Sequence, residues 1–171
     1  MGLLLDIKQD AQLTKRYYGV SSLWEVLKFS SFMILVSYRI RRTVKRHKIP
    51  FVHSVLQTIE RIVWGIEISP LAQLDSVIFL HSVGIVIGPS VVGYGTVFSG
   101  GNTLGSRYRP RTRDVAVIPK IGKNVQIGCG AKILGSITVG NNVQIGANAV
   151  VITNIPNNRI AVGVPAKHRA L

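Results

Sequence analysis

Acidic residues and cysteine are scarce in this chain. Its 171 residues include 7 aspartates and glutamates against 21 lysines and arginines, which gives a formal net charge of +14. The only cysteine, Cys129, has no partner for an internal disulfide, so a fold held together by disulfides is excluded. A single unpaired thiol suits a reducing compartment, and we expect a cytoplasmic protein.

Long hydrophobic runs are also missing, although 47% of the residues are hydrophobic. The longest uncharged apolar stretch near the start, residues 29–38, has ten residues and is too short to cross a bilayer as a helix. The composition therefore predicts a single domain with a substantial core, with or without a small appendage.

The excess of positive charge favours an anionic partner. Eleven of the 21 basic residues fall within 1–64 and four more within 107–113. No nucleic-acid motif or aromatic platform accompanies them, so nucleic acid is not expected. A nucleotide-bearing co-substrate, an acidic glycan, an anionic membrane surface and a merely solvated basic face all remain open.

A period of six residues dominates the second half of the chain. Steps of six from Val115 meet only β-branched aliphatic residues as far as Val151, and glycine often follows them. The fifth position of each unit is small, aliphatic or proline. This pattern is typical of a hexapeptide β-helix, in which three units form one triangular coil and the repeated aliphatic side chains stack in the lumen.

The repeat becomes degenerate upstream of Val115. Counting back in sixes requires the removal of ten residues, 105–114, and then places His81, Ile87, Gly93 and Ser99 at the lumen position. We therefore predict a mainly β fold with a β-helix over 65–164, a loop extruded at 105–114 and a C-terminal tail at 165–171.

Residues 1–64 are predicted to form a helical segment. Helices are expected at Leu4–Arg16, from Leu23 to about Lys48 with Ser21 or Ser22 as N-cap, and from Phe51 to Trp64. The middle helix is apolar around more than one stripe and ends in a basic cluster. It could lie in the plane of a membrane, or it could pack against other helices or the end of the β-helix, and we favour the packed arrangement.

The chain offers one histidine inside the β-helix and poor metal ligands. His81 breaks the pattern near a coil corner, and an imidazole can act as a base near neutral pH, although a lone histidine is more often structural. Glu67 precedes it by less than one coil and could orient the ring. With no cluster of histidines and carboxylates, no metal site is expected.

The loop carries the other candidate site. It contains alternating arginines that could clamp a phosphate or a carboxylate, unless the loop is only a solvent-facing excursion. The residues are Arg107, Arg109, Arg111 and Arg113.

Seven short motifs follow one another along the predicted β-helix. They are residues 65–70 (GIEISP), 80–81 (LH), 84–88 (GIVIG), 103–105 (TLG), 119–122 (PKIG), 127–135 (IGCGAKILG) and 163–167 (GVPAK). Together they resemble the serine acetyltransferase branch of the hexapeptide-repeat acyltransferases, and they cover about 100 residues in the family's order.

The resemblance implies a left-handed parallel β-helix, a homotrimer with active sites shared between neighbouring subunits, and acetyl-CoA as co-substrate. It implies that His81 is the general base and that Glu67 matches the family's supporting aspartate. Gly105, Cys129 and Ala147 would line the pantetheine arm of CoA. Lys132 and Lys167 would meet its nucleotide phosphates.

The chain departs from the family pattern where serine would be recognised. Val117 and Ile118 replace an Arg-His pair that holds the carboxylate of the amino acid, and Leu80 replaces an aspartate beside the catalytic histidine. We therefore expect transfer of acetyl to a sugar hydroxyl of an acidic surface or capsular polysaccharide, with a possible peripheral contact at the inner membrane face. Serine O-acetylation and a non-catalytic trimeric scaffold are the alternatives.

Overall fold

A computed structural model describes residues 2–47, 49, 51–106 and 118–171. Four helices come first, and the rest of the described chain is made of short strands. The helices are α1 (Leu3–Tyr18), α2 (Leu23–Val26), α3 (Ser30–Arg46) and α4 (Val52–Trp64).

The strands wind into a β-helix of about five coils with three faces. The first face contains β1 (Ile66–Ile68), β4 (Ile85–Ile87), β7 (Thr103–Gly105), β10 (Lys132–Leu134) and β13 (Val150–Val151). The second face contains β2 (Gln73–Leu74), β5 (Val91–Val92), β8 (Lys120–Ile121) and β11 (Thr138–Val139). The third face contains β3 (Ile78–Phe79), β6 (Val97–Phe98), β9 (Gln126–Ile127), β12 (Gln144–Ile145), β14 (Arg159–Val162) and β15 (Lys167–Ala170).

The predicted β-helix is confirmed, and its lumen is a stack of aliphatic side chains. All the pairings between coils are parallel, and only the final strand β15 pairs antiparallel, with β14. On the first face, the buried residues in register are Ile68, Ile87, Leu104, Ile133 and Val151. Because each coil is too thin to bury its own inner face, the stack is the core of the protein.

The predicted phase of the upstream coils is right at Ile87 but wrong by one residue at Gly93 and Ser99. Val92 and Phe98, rather than Gly93 and Ser99, pair with the lumen residues Ile121 and Ile127. Each of these pairs is 29 residues apart, whereas Ile127 and its partner in the next coil are 18 apart, so the excursion adds eleven residues instead of ten. A period of six carries no information about the length of an insertion, and only strand pairing reveals it.

His81 is likewise not at a lumen position. Phe79 takes that position, is fully buried and stacks on Phe98 with ring centroids 5.3 Å apart. His81 lies two residues later, outside the lumen, and is exposed. The displacement matters for function because it leaves the imidazole accessible.

Glycine after the lumen residue is required by the next coil. A Cβ on Gly122, Gly128 or Gly140 would lie 2.6 Å from a backbone atom of the following coil. The corners that need a left-handed backbone are supplied partly by asparagine, which tolerates that conformation. Asn142 has a φ of 54° and donates through Nδ2 to the Asn158 Oδ1, 3.0 Å away.

The single helix predicted over 23–48 is two helices. Ser22, one of the two predicted N-caps, caps α2 and forms a capping box with Glu25, but α2 ends after one turn. Phe29 then adopts an extended backbone, with φ −88° and ψ 121°, before α3 begins. Its ring stacks on Tyr18 of α1 with centroids 3.9 Å apart, so packing between helices favours the break over a continuous helix.

Helix α3 covers the open end of the β-helix, as the packed arrangement predicts. The backbone carbonyl groups on the open edge of the first coil have no preceding coil from which to accept hydrogen bonds. Side chains of α3 donate to them instead. Arg41 Nη2 donates to the Ile68 carbonyl at 2.7 Å, Arg39 Nη1 to the Leu74 carbonyl at 2.7 Å, and the Tyr38 hydroxyl to the Ala72 carbonyl at 2.6 Å. This cap protects an edge that would otherwise be free to pair.

Two buried ion pairs hold the arginines of the cap in place. Arg39 is 6% exposed and pairs with Asp10 of α1 at 3.1 Å. Arg41 is 1% exposed and pairs with Glu60 of α4 at 3.1 Å. Part of the basic cluster is thus structural. Within the described ranges, no helix has the length and apolarity needed to cross a membrane.

Loss of Arg41 should destabilise the fold far more than loss of its neighbour Arg42. Arg41→Ala leaves the carboxylate of Glu60 buried without its cation, at a cost of about 3–5 kcal/mol in the free energy of unfolding. Arg42 is exposed, so Arg42→Ala should change that free energy by about 0.5 kcal/mol or less. Urea unfolding of the two variants measures the difference, and equal midpoints would contradict the structural role of Arg41.

Stability should also fall in mild acid because of His53. Burial lowers the pKa of His53 below its ordinary 6.5, and the charges of Arg41 and Lys45 lower it further. Arg41 Nη1 lies 3.3 Å from His53 Nε2, and since arginine only donates, that nitrogen accepts and the ring is neutral. The stability that this neutral ring contributes is present above pH 6.5 and is lost as the pH falls below it.

His53→Gln should therefore flatten the pH dependence of the melting temperature. Between about pH 7 and about pH 5, the melting temperature of the unmodified protein should drop more steeply than that of the variant. Parallel curves for the two proteins would show that protonation of His53 does not oppose folding.

Candidate active site

His81 lies on a corner of the β-helix that is longer than its equivalents. The corner joins the third face to the first and ends at a glycine in the left-handed conformation. From Phe79 to Gly84 it spans five residue steps, but from Phe98 to Gly101 and from Ile127 to Gly130 it spans three. Two extra residues displace His81 outward, so an irregularity in a rigid scaffold presents the imidazole to solvent.

The backbone beneath His81 leaves no room for a side chain. A Cβ on Gly100 of the next coil would lie 2.9 Å from the His81 carbonyl oxygen and 3.1 Å from the His81 Cβ. Gly100 also has a φ of 102°, which L-residues rarely adopt. Sequence reasoning missed Gly100, although the run Ser99-Gly100-Gly101 in place of an aliphatic unit was a visible sign of it.

The ring of His81 is free to act on a substrate. In the part of the chain that the structure describes, neither ring nitrogen has a hydrogen-bond partner. Predicted as its orienting group, Glu67 instead lies 3.6 Å from the guanidinium of Arg61, with about half of each side chain exposed. Exposed pairs of this kind contribute little, so Glu67 could leave Arg61 at small cost. Its role beside His81 stays a prediction.

Small residues continue the His81 position down the following coils. Two residues after the lumen position, successive coils carry His81, Gly100, Cys129 and Ala147. We call this row the corner column. Cys129 and Ala147, predicted as separate contacts to CoA, are thereby brought into line with His81, and Cys129 is exposed. Cys129 and Ala147 are exposed, whereas Gly100 is buried beneath His81. The accessible part of the corner column therefore lies at Cys129 and Ala147.

The predicted phosphate-binding lysines lie near this column. Lys132 projects from β10 and donates to the Gly101 carbonyl at 2.6 Å, which fixes its ammonium group at the same corner. Lys167 is exposed on β15 and pairs with Val162, immediately before Gly163, which continues the column in the last coil. A lysine has three donor hydrogens, so Lys132 keeps two for a ligand.

Gly105, which is predicted to contact CoA, lies apart from the corner column. It ends β7, at the opposite end of the first face from the corner column, and a Cβ there would meet nothing within 4 Å. The site predicted on the loop, with Arg107, Arg109, Arg111 and Arg113, falls outside the described residues, as does Val117. Ile118, the other residue at the replaced Arg-His pair, is buried.

Two further observations concern ligands in general. Among the described residues there is no group of three or more histidine, cysteine or acidic side chains that could hold a metal ion. A groove of about 790 Å³ lies away from His81 between the helices and the second face, where Arg42, Lys45 and Arg46 line it. Sequence reasoning assigned no site there, although the basic end of α3 pointed to it.

Comparison with known proteins agrees with the fold. Residues 118–153 match a family described as bacterial transferase hexapeptide (six repeats). A serine acetyltransferase of Helicobacter pylori strain J99 is 36% identical over 147 residues, which are 84% of this chain and 84% of that protein. The serine acetyltransferase of Synechococcus elongatus is 34% identical over 144 residues, 83% of this chain but 58% of the relative.

Solved structures show the same similarity in three dimensions. The serine acetyltransferase of Neisseria gonorrhoeae superimposes with a TM-score of 0.86 at 30% identity, over 98% of this chain and 66% of that one. Soybean serine acetyltransferase complexed with serine gives a TM-score of 0.85 at 27% identity, over 98% and 69%.

The β-helix and its corner histidine define a hexapeptide-repeat transferase. Within that class, identity and coverage show that the chain belongs to the serine acetyltransferase family. The expected special similarity to capsule O-acetyltransferases finds no support among these relatives, all of which are serine acetyltransferases. The chain spans 58% of the length of the Synechococcus relative and 66% of the Neisseria one.

Substitution of Gly100 should disturb the corner through His81. Gly100→Ala combines an unfavourable φ with a contact against the His81 backbone, at a cost of about 1–3 kcal/mol. Gly101→Ala is the matched control, because its φ of 62° is also left-handed but its Cβ would meet nothing closer than 3.5 Å. Thermal melting should rank Gly100→Ala as the less stable variant, and the opposite order would contradict the tight contact.

Proposed function

We propose that the protein is an acetyl-CoA-dependent O-acetyltransferase with His81 as its general base. The observation that carries the proposal is the exposed imidazole on a lengthened corner, aligned with a column of small residues. Membership of the serine acetyltransferase family supplies the reaction type. Because the chain is shorter than several relatives, its activity is inferred from this site rather than transferred whole.

His81 would act on the hydroxyl group of the acceptor. Its neutral nitrogen takes the hydroxyl proton as the oxygen forms a bond to the thioester carbonyl carbon, and the carbon–sulfur bond breaks. The proton then passes from the imidazolium to the departing sulfur, so the ring is restored. Positioned general bases of this kind contribute about 10²–10⁴-fold to a rate.

The residues beside His81 suit the extended arm of acetyl-CoA. The corner column bears small, exposed side chains at Cys129 and Ala147, so a narrow chain would be able to approach the backbone there. Lys132 and Lys167 provide ammonium groups for phosphates, and their charge agrees with the excess of basic residues. Gly105 would have to meet the thioester end from the far side of the face, or from a neighbouring subunit.

Free serine is the acceptor that the relatives favour. Both Neisseria and soybean serine acetyltransferases are described in complex with serine, and each superimposes on 98% of this chain. The homotrimer with shared sites, expected from the resemblance, belongs to the same proposal.

A sugar hydroxyl of an acidic glycan is the second candidate acceptor. The observation that favours it is that apolar residues replace the polar ones that the family pattern has for serine. Leu80 adjoins His81 where that pattern has an aspartate, and Ile118 is buried where it has a histidine. An apolar, buried residue cannot hold the carboxylate of an amino acid. The arginines of 107–113 would then serve the glycan or rebuild the lost clamp for serine.

His81→Ala should abolish acetyl transfer and leave CoA binding intact. We expect a drop of about 10²–10⁴-fold in acceptor-dependent thiol release, because only the proton acceptor is removed. His47→Ala is the matched control, since His47 is an exposed histidine at the end of α3, away from the site. Near-normal turnover of His81→Ala would refute the role of His81.

The choice of acceptor decides between the candidates. Thiol release from acetyl-CoA should be measured with free serine and, separately, with an acidic capsular oligosaccharide. Stimulation by serine alone supports the first candidate and stimulation by the glycan alone supports the second. If neither acceptor stimulates thiol release and a titration detects no CoA binding, the non-catalytic scaffold is favoured.

A further inference from the structure

An apolar groove lies on the helical segment, outside the candidate active site. It has a volume of about 470 Å³ and runs between α1, α2 and α3. We call it the outer groove, and its lining residues are Leu4, Ile7, Lys8, Ala11, Leu23, Leu27, Phe32, Met33 and Val36. Eight of these nine side chains are apolar.

Large apolar side chains project around this groove into solvent. Leu4 is 83% exposed and Leu23 is 56% exposed. Trp24, beside Leu23 in α2, is 78% exposed. Isolated exposed apolar residues are ordinary, but several around one groove mark a surface that binds something.

The apolar residues of helix α3 are only partly buried by the rest of the described chain. Its inner side is used by the cap, through Tyr38, Arg39 and Arg41. Met33 and Ile40, seven residues apart on another side of the same helix, stay exposed. Phe32 and Val36 pack against α1 and α2, so the described chain leaves only part of this outer side uncovered.

The charge around the outer groove is positive. Lys8 lines it, and Lys28 is exposed immediately after Leu27. Of the acids nearby, Asp10 pairs with Arg39 and Asp6 lines the other groove. Glu25, whose carboxylate accepts from the Ser22 backbone N–H in the cap of α2, is the acid left close to the two lysines. An occupant must accordingly combine apolar groups with negative charge.

We propose that the outer groove and its rim dock in the plane of an anionic phospholipid membrane. Leu4, Leu23 and Trp24 would enter the boundary between headgroups and acyl chains, where tryptophan is favoured, and Lys8 and Lys28 would contact the anionic headgroups. The net charge of +14 attracts the protein to such a surface from a distance. A docked helix lies along the surface, so no spanning helix is required.

Charge disfavours a second copy of the chain as the occupant. A two-fold contact would bring the same patch on both copies together, and Lys8 and Lys28 would face lysines with only the capping carboxylate of Glu25 close by. An acidic protein fits the charge, but a groove lined almost wholly by apolar side chains offers such a partner few hydrogen bonds.

Vesicle sedimentation tests the proposal on the full chain. The protein should bind vesicles of phosphatidylcholine and phosphatidylglycerol in equal parts, bind phosphatidylcholine alone weakly, and lose affinity as salt is raised. Emission from Trp24 should shift to the blue on binding, and Trp24→Phe should remove that shift, because the other tryptophan, Trp64, packs against the core. Binding to neither vesicle would overturn the proposal.

A pair of matched leucines locates the surface. Leu23→Glu should weaken binding by about tenfold or more, since a carboxylate replaces an inserted side chain. Leu71→Glu should change it little, because Leu71 is 54% exposed, like Leu23, but lies on a turn outside the groove. Equal loss in both variants would overturn the assignment to the outer groove.

Charge reversal separates the lipid from a protein partner. The double variant Lys8→Glu and Lys28→Glu should abolish the preference for anionic vesicles, whereas Lys123→Glu, exposed on a distant corner, should keep it. Analytical ultracentrifugation provides the remaining outcome. If Leu23→Glu dissociates an oligomer and leaves vesicle binding intact, the occupant is another copy and the proposal fails.

Discussion

Donation from α3 into the first coil of the β-helix is the interaction on which the remaining structure depends. A β-helix has an open edge at its start, where backbone carbonyl groups lack a preceding coil. Arg41 and Arg39 donate to the carbonyl groups of Ile68 and Leu74, and both guanidinium groups are held by buried carboxylates. The cap closes the edge without adding another coil, and it explains why a helical segment precedes the solenoid.

The same cap connects the two functional proposals. It fixes the first coil, and the lengthened corner that carries His81 belongs to that coil. It also commits the inner side of α3 to the β-helix, which leaves the opposite side and its apolar groove facing outward. Catalysis and membrane docking would then use different surfaces of the protein.

Departures from regularity mark the candidate site. Glycines that follow the lumen residues are explained by the approach of the next coil, and asparagines such as Asn142 satisfy corners with a left-handed backbone. Neither explanation applies to His81. Its corner is longer than the equivalent corners, and its backbone lies directly against Gly100 of the next coil. A stable repeat tolerates such an insertion because the neighbouring coils supply the packing, and the insertion is free to serve chemistry.

The sequence by itself determined the β-helix, the helical segment and a helix N-cap at Ser21 or Ser22, because a six-residue period and local capping chemistry are short-range properties. Only the tertiary structure decided the phase of the upstream coils, the break in the helix at Phe29 and the alignment of His81 with Cys129 and Ala147. It also showed that the carboxylate of Glu67 lies beside the guanidinium group of Arg61. These features depend on which strands pair and which side chains meet across long separations, and no local pattern records the length of an insertion or the neighbour of an exposed carboxylate.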